Sequence, residues 1–196
     1  PSLIVCPASL VLNWAEECQK FTPELHCLVV DGDAAHRAAL AKQWGSADVV
    51  VTSYDLLRRD EELYAGQAFY ACILDEAHLL EKETIEEFRF LLNYRFDSMG
   101  PMVVVLVGQT ELWDNKLKLQ KYSAIRQRID MYCTLPHLDR AETEQYVNSY
   151  LEYAGCSQTI FTEKALDEIY RISTGIPRMI NRVCEKTLMY AFQKQN

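Results

Sequence analysis

The sequence predicts an α/β fold in which a parallel sheet, covered by helices on both faces, is followed by a smaller helical subdomain. Up to about residue 136, short aliphatic runs alternate with longer stretches of helical periodicity, and beyond it only helical periodicity is found. Continuous apolar runs are typical of strands that are buried on both faces of a parallel sheet. Their alternation with helices favours a three-layer α/β sandwich.

Five near-continuous apolar runs predict the strands of this sheet. They are rich in β-branched and aliphatic residues, as buried parallel strands are. The runs are Ser2–Cys6, Cys27–Val30, Val49–Thr52, Cys72–Leu74 and Met102–Val107.

Apolar residues at helical spacing predict helices between these strands. Ser9 precedes the first helix as a candidate N-cap, and Thr84 with Glu87 resembles a capping box before another. The apolar positions are Leu10, Val11, Trp14, Cys18 and Phe21 in the first of these helices and Ile85, Phe88, Leu91 and Leu92 in the other.

Three helices are predicted after the sheet domain. Asp139 can cap the first, Thr162 can cap the second, and Pro177 begins the third. We therefore divide the chain into an α/β core at 1–136 and a helical lid subdomain at 137–196. The residues that should face inward in the lid are Val147, Leu151, Leu166, Ile169, Ile180 and Val183.

Composition and charge exclude several classes of protein. The chain has 196 residues and is 49% hydrophobic and 24% charged, which excludes a disordered, collagenous or coiled-coil chain. Residues 1–98 hold 8 Lys+Arg against 17 Asp+Glu, and residues 99–196 hold 12 against 11, so −9 and +1 give the net charge of −8. An acidic first half does not attract phosphate backbones in general, so any nucleic-acid contact has to be local.

The sequence predicts a cytoplasmic protein without a targeting or membrane-spanning segment. Its longest apolar runs, such as Met102–Val107, fall far short of the roughly 20 residues that a membrane span needs. None of the seven cysteines forms a C-x-x-C pair and the four histidines have no ligand spacing, which indicates reduced thiols and argues against a zinc site. Because residue 1 is Pro, we expect the chain to be part of a longer protein.

The strongest functional signal is Ile-Leu-Asp-Glu-Ala-His at residues 73–78. An apolar strand that ends in Asp75 and Glu76 is typical of the Walker B element of P-loop NTPases. In such sites the Asp holds Mg²⁺ and the Glu activates the water that attacks the γ-phosphate. Both carboxylates should then lie at the carboxyl end of a buried strand, where open α/β sheets bind ligands. The alternative interpretation is an acidic loop after a core strand.

Residues 1–78 resemble the first lobe of Swi/Snf-type helicase-like ATPases. Residues 1–14, PSLIVCPASLVLNW, are similar to motif Ia of that family, and residues 48–60, DVVVTSYDLLRRD, are similar to its next block. In that family both blocks lie along the DNA-tracking face. The alternative is that these polar residues are only caps and turn residues, above all at Ser9. The phosphate-contacting candidates that the resemblance implies are Ser9, Asn13, Thr52, Ser53 and Tyr54.

Residues 74–196 resemble a different family, the AAA+ ATPases of the secretion-pathway A type and their relatives that assist transposition. The chain is thus a mosaic of two resemblances that meet at the same Asp-Glu-Ala-His. We give the second more weight because four segments match it in the correct order. These are residues 79–94 after the Asp-Glu, residues 105–112 as sensor 1, residues 125–129 as the arginine-finger region and residues 175–181 as sensor 2.

The second resemblance implies roles for five residues. Gln109 or Thr110 would hydrogen-bond the γ-phosphate or the attacking water, and Arg126 or Arg128 would act as an arginine finger toward a neighbouring subunit of a homo-oligomer. Arg178 would report the nucleotide state from the lid. The alternatives are surface charges at Arg126 and Arg128 and an ordinary first-turn residue at Arg178.

A P-loop, G-x-x-x-x-G-K-[ST], does not occur in the sequence. In AAA+ relatives the P-loop strand lies between the strands that correspond to Met102–Val107 and Met131–Leu135. Here those two strands should pair directly, leave exposed edges or accept a strand from elsewhere. We expect ATP and Mg²⁺ to be the cofactors of the longer parent protein.

Three functions are compatible with these observations. The leading interpretation is part of an AAA+ ATPase that acts in DNA mobility or in secretion-apparatus assembly, with DNA or a transposition or secretion protein as partner. The second is part of a Swi/Snf-type DNA translocase, and the third is a non-catalytic interaction module. The fold class alone does not choose among them, because function lies in the site.

The chain alone is predicted neither to bind Mg-ATP tightly nor to hydrolyse it. Without a P-loop there is no phosphate cradle and no lysine, and Asp75 and Glu76 repel a nucleotide that carries no metal. Isothermal titration with Mg-ATP and a phosphate-release assay on the purified chain check this. Micromolar binding, or turnover that Glu76→Gln abolishes, would contradict it.

Overall fold

The computed structural model describes residues 1–65, 67–81, 84, 102–156 and 158–195. The chain forms two compact units, Pro1–Asp130 and Met131–Asn196. The division falls at Asp130, whereas the sequence places the boundary at 136/137. Among the described residues no helix is long and apolar enough to cross a membrane.

The described part of the first unit contains a five-stranded sheet in which every pair of neighbouring strands is parallel. The strand order is β2-β3-β1-β4-β5. All five predicted strands are therefore present, and the expected parallel α/β fold is confirmed. The strands are β1 Ser2–Cys6, β2 Cys27–Val29, β3 Val49–Ser53, β4 Ala71–Leu74 and β5 Val103–Leu106.

The central strand β1 is buried on both faces. Ile4 lies opposite Val51 of β3 and opposite Ile73 of β4. Because successive side chains of a strand point to opposite faces, Leu3 and Val5 enter one apolar core, while Ile4 enters the other. Two cores, one on each side of the sheet, give the three-layer arrangement that continuous apolar strands require.

Helices and helical turns cover the sheet. The predicted cap at Ser9 is wrong: residues Ala8–Leu10 form a 3₁₀ turn, and Leu10 precedes the first α-helix without a side-chain capping bond. Residues Leu112–Leu117 form a π-helix. The α-helices of the first unit within the described residues are α1 Val11–Phe21, α2 Ala34–Ala41, α3 Tyr54–Arg59, α4 Glu61–Ala65 and α5 Ser123–Arg126.

A buried ion pair joins two of these helices. Arg37 of α2 is 3% exposed and donates through Nε and Nη2 to the two carboxylate oxygens of Asp60, at 2.5 and 3.0 Å. Its Nη1 donates to the carbonyl of Gly32. A bidentate contact fixes orientation as well as distance, so this pair sets α2 against the end of α3.

One predicted helix lies outside the described residues, together with its apolar positions Ile85, Phe88, Leu91 and Leu92. Of its predicted capping box, Thr84 is described and Glu87 is not. The Thr84 side chain is buried, and its hydroxyl oxygen accepts a hydrogen bond from Arg58 Nη2 at 2.8 Å.

Strand β5 is at the edge of the sheet. Val103 and Val105 expose 60% and 41% of their surface. The predicted strand at Met131–Leu135 is wrong: these residues have no regular secondary structure, and Met131 and Leu135 are 84% and 89% exposed. Among the described residues no strand pairs with the outer side of β5. Of the three arrangements expected without a P-loop strand, they therefore show the exposed edge.

The described residues of the second unit form three helices, α6 Arg140–Tyr153, α7 Glu163–Ser173 and α8 Pro177–Gln195. Asp139 caps α6 in a capping box with Glu142, and Thr162 caps α7, as the sequence predicts. The predicted inward face is confirmed. Val147, Leu166, Ile169 and Ile180 are buried together, and the partly buried Leu151 and Val183 pack against them.

The turn between α7 and α8 depends on a glycine. Gly175 has φ +73°, its carbonyl accepts a hydrogen bond from the Leu138 N–H at 3.0 Å, and a Cβ added to it would lie 1.8 Å from the Leu138 carbonyl oxygen. Thus the segment before α6 lies directly against the glycine, and no side chain fits there.

Gly175→Ala is expected to destabilise the second unit by several kcal/mol, since it adds a backbone clash to an unfavourable left-handed conformation. The matched control is Gly155→Ala. Gly155 has φ +81° but nothing within 4 Å of the added Cβ, so this substitution should cost about 1 kcal/mol of stability. Denaturant unfolding followed by circular dichroism compares the two. Equal losses would show that the contact with Leu138 is unimportant.

Candidate functional site

Asp75 and Glu76 form a turn directly after β4, which we call the acidic turn. The tips of both neighbouring strands hold it: the Asp75 N–H donates to the Val5 carbonyl and the Ala77 N–H donates to the Val107 carbonyl, each at 2.8 Å. The two carboxylates therefore lie at the carboxyl edge of a central strand, where the sequence analysis expects them. Ligands of open α/β sheets bind at this edge.

The Asp75 carboxylate has a hydrogen-bond donor on each oxygen. The indole N–H of Trp14, from α1, donates to Oδ2 at 2.9 Å, and the backbone N–H of Glu76 donates to Oδ1 at 2.9 Å. The Tyr54 hydroxyl, from the start of α3, donates to the Asp75 carbonyl at 2.7 Å. Residues that lie far apart in the chain therefore converge on one aspartate.

Glu76 has a backbone conformation that is rare for its residue type. Its φ of 55° and ψ of 34° lie in the left-handed region, and its side chain is 35% exposed. For a residue with a Cβ this conformation costs free energy and is retained where the surroundings impose it, which often happens at functional sites. The Glu76 carboxylate Oε2 lies 3.3 Å from His78 Nδ1.

The loop after β5 approaches the acidic turn closely. The Gln109 N–H donates to His78 Nδ1 at 3.3 Å. A Cβ on Gly108 would lie 3.1 Å from the His78 backbone nitrogen, so the close approach depends on a glycine. The sequence prediction that Gln109 lies beside the acidic turn is thus matched by a contact through His78, and the side chains of Gln109 and Thr110 are exposed.

The negative charge of Asp75 affects two neighbouring acidic groups. Burial, and next the Asp75 charge, raises the pKa of the Cys6 thiol to about 11. Burial, and next the same charge, also raises the pKa of the Tyr54 hydroxyl above its usual range. Both groups are therefore protonated at neutral pH, and Tyr54 remains an O–H donor to the Asp75 carbonyl.

The five phosphate-contacting candidates differ in accessibility. Ser9 is exposed in the 3₁₀ turn before α1, and Asn13 is exposed in the first turn of α1. Thr52 is fully buried and its Oγ1 accepts a hydrogen bond from Tyr64 at 3.0 Å, while the buried Ser53 caps α3 through the Leu56 N–H at 3.3 Å. Tyr54 uses its hydroxyl on Asp75. Thus Ser9 and Asn13 have accessible side chains, whereas those of Thr52 and Ser53 have internal roles.

The three arginines predicted to act on a nucleotide differ in their exposure and contacts. Arg126 donates from Nη1 to the carbonyls of Leu117 and Lys118, at 3.0 and 2.8 Å, and so caps the end of the π-helix. Arg128 is exposed in the turn after α5, and Arg178 is exposed in the first turn of α8, within the second unit. A role for any of them toward a nucleotide stays a prediction.

The donor set suits magnesium only in part. Among the described residues no group of three or more His, Cys, Asp or Glu side chains could hold a metal ion. Protein-bound Mg²⁺, however, typically uses one or two carboxylates and completes its coordination with water and substrate phosphates. Asp75 fits that role, because each of its oxygens accepts one hydrogen bond and keeps a further acceptor position.

The chain belongs to the SNF2-related domain family, whose family model matches residues 1–100. A parallel α/β unit with two carboxylates after a central strand agrees with that assignment. The match includes both segments that resemble Swi/Snf blocks and extends past Asp75 and Glu76. The first of the two resemblances therefore identifies the family.

Relatives of both predicted kinds are found. General secretion pathway protein A of Aeromonas hydrophila is 38% identical over 143 residues, which are 72% of this chain and 26% of that protein. TATA-binding protein-associated factor mot1 of Aspergillus fumigatus is 40% identical over 117 residues, 58% of this chain and 6% of that protein. Helicase SWR1 of Candida albicans is 33% identical over 122 residues, 61% of this chain and 7% of that protein. The chain thus spans about a quarter or less of each relative.

Glu76→Gly is expected to be more stable than Glu76→Ala by about 1 kcal/mol, because both remove the carboxylate but only glycine relieves the left-handed conformation. The comparison cancels the loss of the contact with His78. Denaturant unfolding of the two variants measures the difference. A glycine variant less stable than the alanine variant, as at ordinary helix or strand positions, would contradict the strained conformation.

Proposed function

We propose that this chain supplies the Walker B carboxylates and part of the DNA-contacting surface of a SNF2-type ATPase. The observation that carries the proposal is the acidic turn at the carboxyl edge of the sheet, in a chain of the SNF2-related domain family. ATP and Mg²⁺ are the cofactors. The phosphate cradle would come from a P-loop that this sequence does not contain.

In the proposed site Asp75 would hold Mg²⁺, a Lewis acid that binds the phosphates of ATP. Trp14 and the backbone of Glu76 orient its carboxylate. Glu76 would accept a proton from the attacking water, since its partly exposed carboxylate extends from the same turn. Gln109, which follows the neighbouring strand, would position the water or the γ-phosphate.

DNA is the proposed macromolecular partner. The family assignment supports it, and the exposed polar side chains of Ser9 and Asn13 at the start of α1 support the place of contact. The chain carries net charge −8, so the interaction has to depend on local contacts and not on general attraction. Hydrogen bonds from such residues to phosphate oxygens position a protein on DNA without reading its sequence.

A second candidate is part of an AAA+ ATPase of the secretion type. The relationship to general secretion pathway protein A, 38% identity over 72% of this chain, supports it. The three-helix second unit would then be the lid. In that case Arg126 or Arg128 would contact the nucleotide of a neighbouring subunit, and Arg178 that of its own.

Duplex DNA binding tests the proposal, with fluorescence anisotropy of a labelled duplex at low salt. Binding with a dissociation constant of roughly 10⁻⁴–10⁻⁶ M is expected, as for non-specific DNA contacts. Asn13→Asp should weaken it about tenfold, because a carboxylate there repels phosphate at close range. Gln19→Glu makes the same charge change at an exposed position near the other end of α1 and should change affinity less than twofold.

Equal weakening by the two variants would show that only net charge matters and would remove α1 from the contact surface. Absence of binding by the unmodified chain would contradict a DNA-contacting role and leave the secretion-type candidate.

A further inference from the structure

The Asp75 carboxylate receives an unusual partner, the indole N–H of Trp14. The bond from Trp14 Nε1 to Oδ2 is 2.9 Å long and joins α1 to the turn after β4. An indole nitrogen is a donor only, so it can serve the carboxylate but cannot bind a metal. Sequence periodicity assigns Trp14 to the apolar face of α1, and nothing in it indicates this polar contact.

We infer that Trp14 is a positioning residue for Asp75: its indole N–H fixes the orientation of the carboxylate and so couples metal binding at the acidic turn to the position of α1. The inference rests on the proposed function, because it takes Asp75 to be the magnesium ligand. It goes further by assigning to Trp14 a role in that site.

Orientation matters because the last torsion of an aspartate is soft. Rotation about the bond between Cβ and the carboxylate has broad, roughly two-fold preferences, so an aspartate without partners samples many orientations. In this structure Trp14 holds Oδ2 and the Glu76 N–H holds Oδ1. Two donors on two oxygens define the carboxylate plane, and each oxygen keeps a lone pair for a metal ion or its water.

The indole itself is held by packing. The Trp14 ring is partly buried against the core on its side of the sheet, which contains Ile4, Val11 and Val51. Turning the N–H away from Asp75 would therefore move the ring out of this packing. Because Asn13 is exposed directly before Trp14, a ligand that displaces this end of α1 also displaces the donor to Asp75.

Tyr54 gives the same turn a second anchor. Its hydroxyl donates to the Asp75 carbonyl at 2.7 Å, from the residue that follows β3. Trp14 thus orients the side chain of Asp75 and Tyr54 fixes its backbone. Both residues belong to the segments that resemble the Swi/Snf blocks. Two hydrogen bonds therefore connect the segments proposed to contact DNA with the proposed metal ligand.

The hydrogen bond can be observed directly by NMR. The full 196-residue chain contains three tryptophans, at positions 14, 44 and 113, so an ¹H–¹⁵N spectrum shows three indole correlations that single Trp→Phe variants assign. Asp75→Ala is expected to shift the Trp14 indole correlation and to accelerate its solvent exchange. Trp44 Nε1 is buried and has no hydrogen-bond partner among the described residues, so it serves as the internal control and should not move. An unchanged Trp14 correlation would overturn the inference.

Metal affinity tests the positioning role. Mn²⁺ replaces Mg²⁺ as the probe, and the electron paramagnetic resonance signal of the free ion counts the bound fraction. The relevant quantity is the binding that Asp75→Ala removes. Trp14→Phe keeps a ring in the core but removes the N–H, and it should weaken this component about tenfold, as loss of a partner behind a metal ligand typically does.

Trp113→Phe makes the same substitution elsewhere in the chain and should leave Mn²⁺ affinity within twofold of the original. Circular dichroism melting of both variants checks that the fold is retained. Unchanged Mn²⁺ affinity in Trp14→Phe would refute the positioning role while the metal-binding function of Asp75 stands. If Asp75→Ala removes no Mn²⁺ binding, the proposed metal ligand and the inference drawn from it both fail.

Discussion

The pairing of β1 with β3 on one side and β4 on the other is the constraint on which the rest of the first unit depends. All backbone groups of a strand buried on both faces need partners, and only neighbouring strands supply them in the interior. Because the strands are parallel, their carboxyl ends meet at one edge. The segments after β1, β3 and β4 are thereby brought together, and these segments carry Trp14, Tyr54 and Asp75.

Polar groups in the first unit stabilise the fold in one place and restrain the candidate site in another. Arg37 and Asp60 form a buried bidentate ion pair in which the two charges neutralise each other. Asp75 differs, because the described groups around it donate hydrogen bonds without neutralising its charge. A carboxylate that is oriented but not paired is suited to bind a cation, whereas a paired one is suited to hold two helices together.

The two resemblances of the chain have different support. The SNF2-related domain match covers residues 1–100 and agrees with the parallel sheet and its acidic turn, so it defines the family, although the sequence gives the AAA+ interpretation more weight. The secretion-type relationship covers 72% of the chain and remains a candidate. An Asp-Glu pair after a central strand serves either kind of ATPase, which explains why the same residues take part in both resemblances.

The sequence by itself determined the strands, the helices of the second unit and the position of Asp75 and Glu76. Continuous apolar runs, capping residues such as Asp139 and Thr162, and helical spacing are local signals, and burial acts on them directly. Only the tertiary structure decided what surrounds Asp75. The contact with Trp14 joins residues 61 positions apart, and the left-handed Glu76 lies between two backbone hydrogen bonds, from Asp75 to Val5 and from Ala77 to Val107. The absence of a strand at Met131–Leu135 has the same origin, because an apolar run becomes a strand only where a neighbouring strand pairs with it.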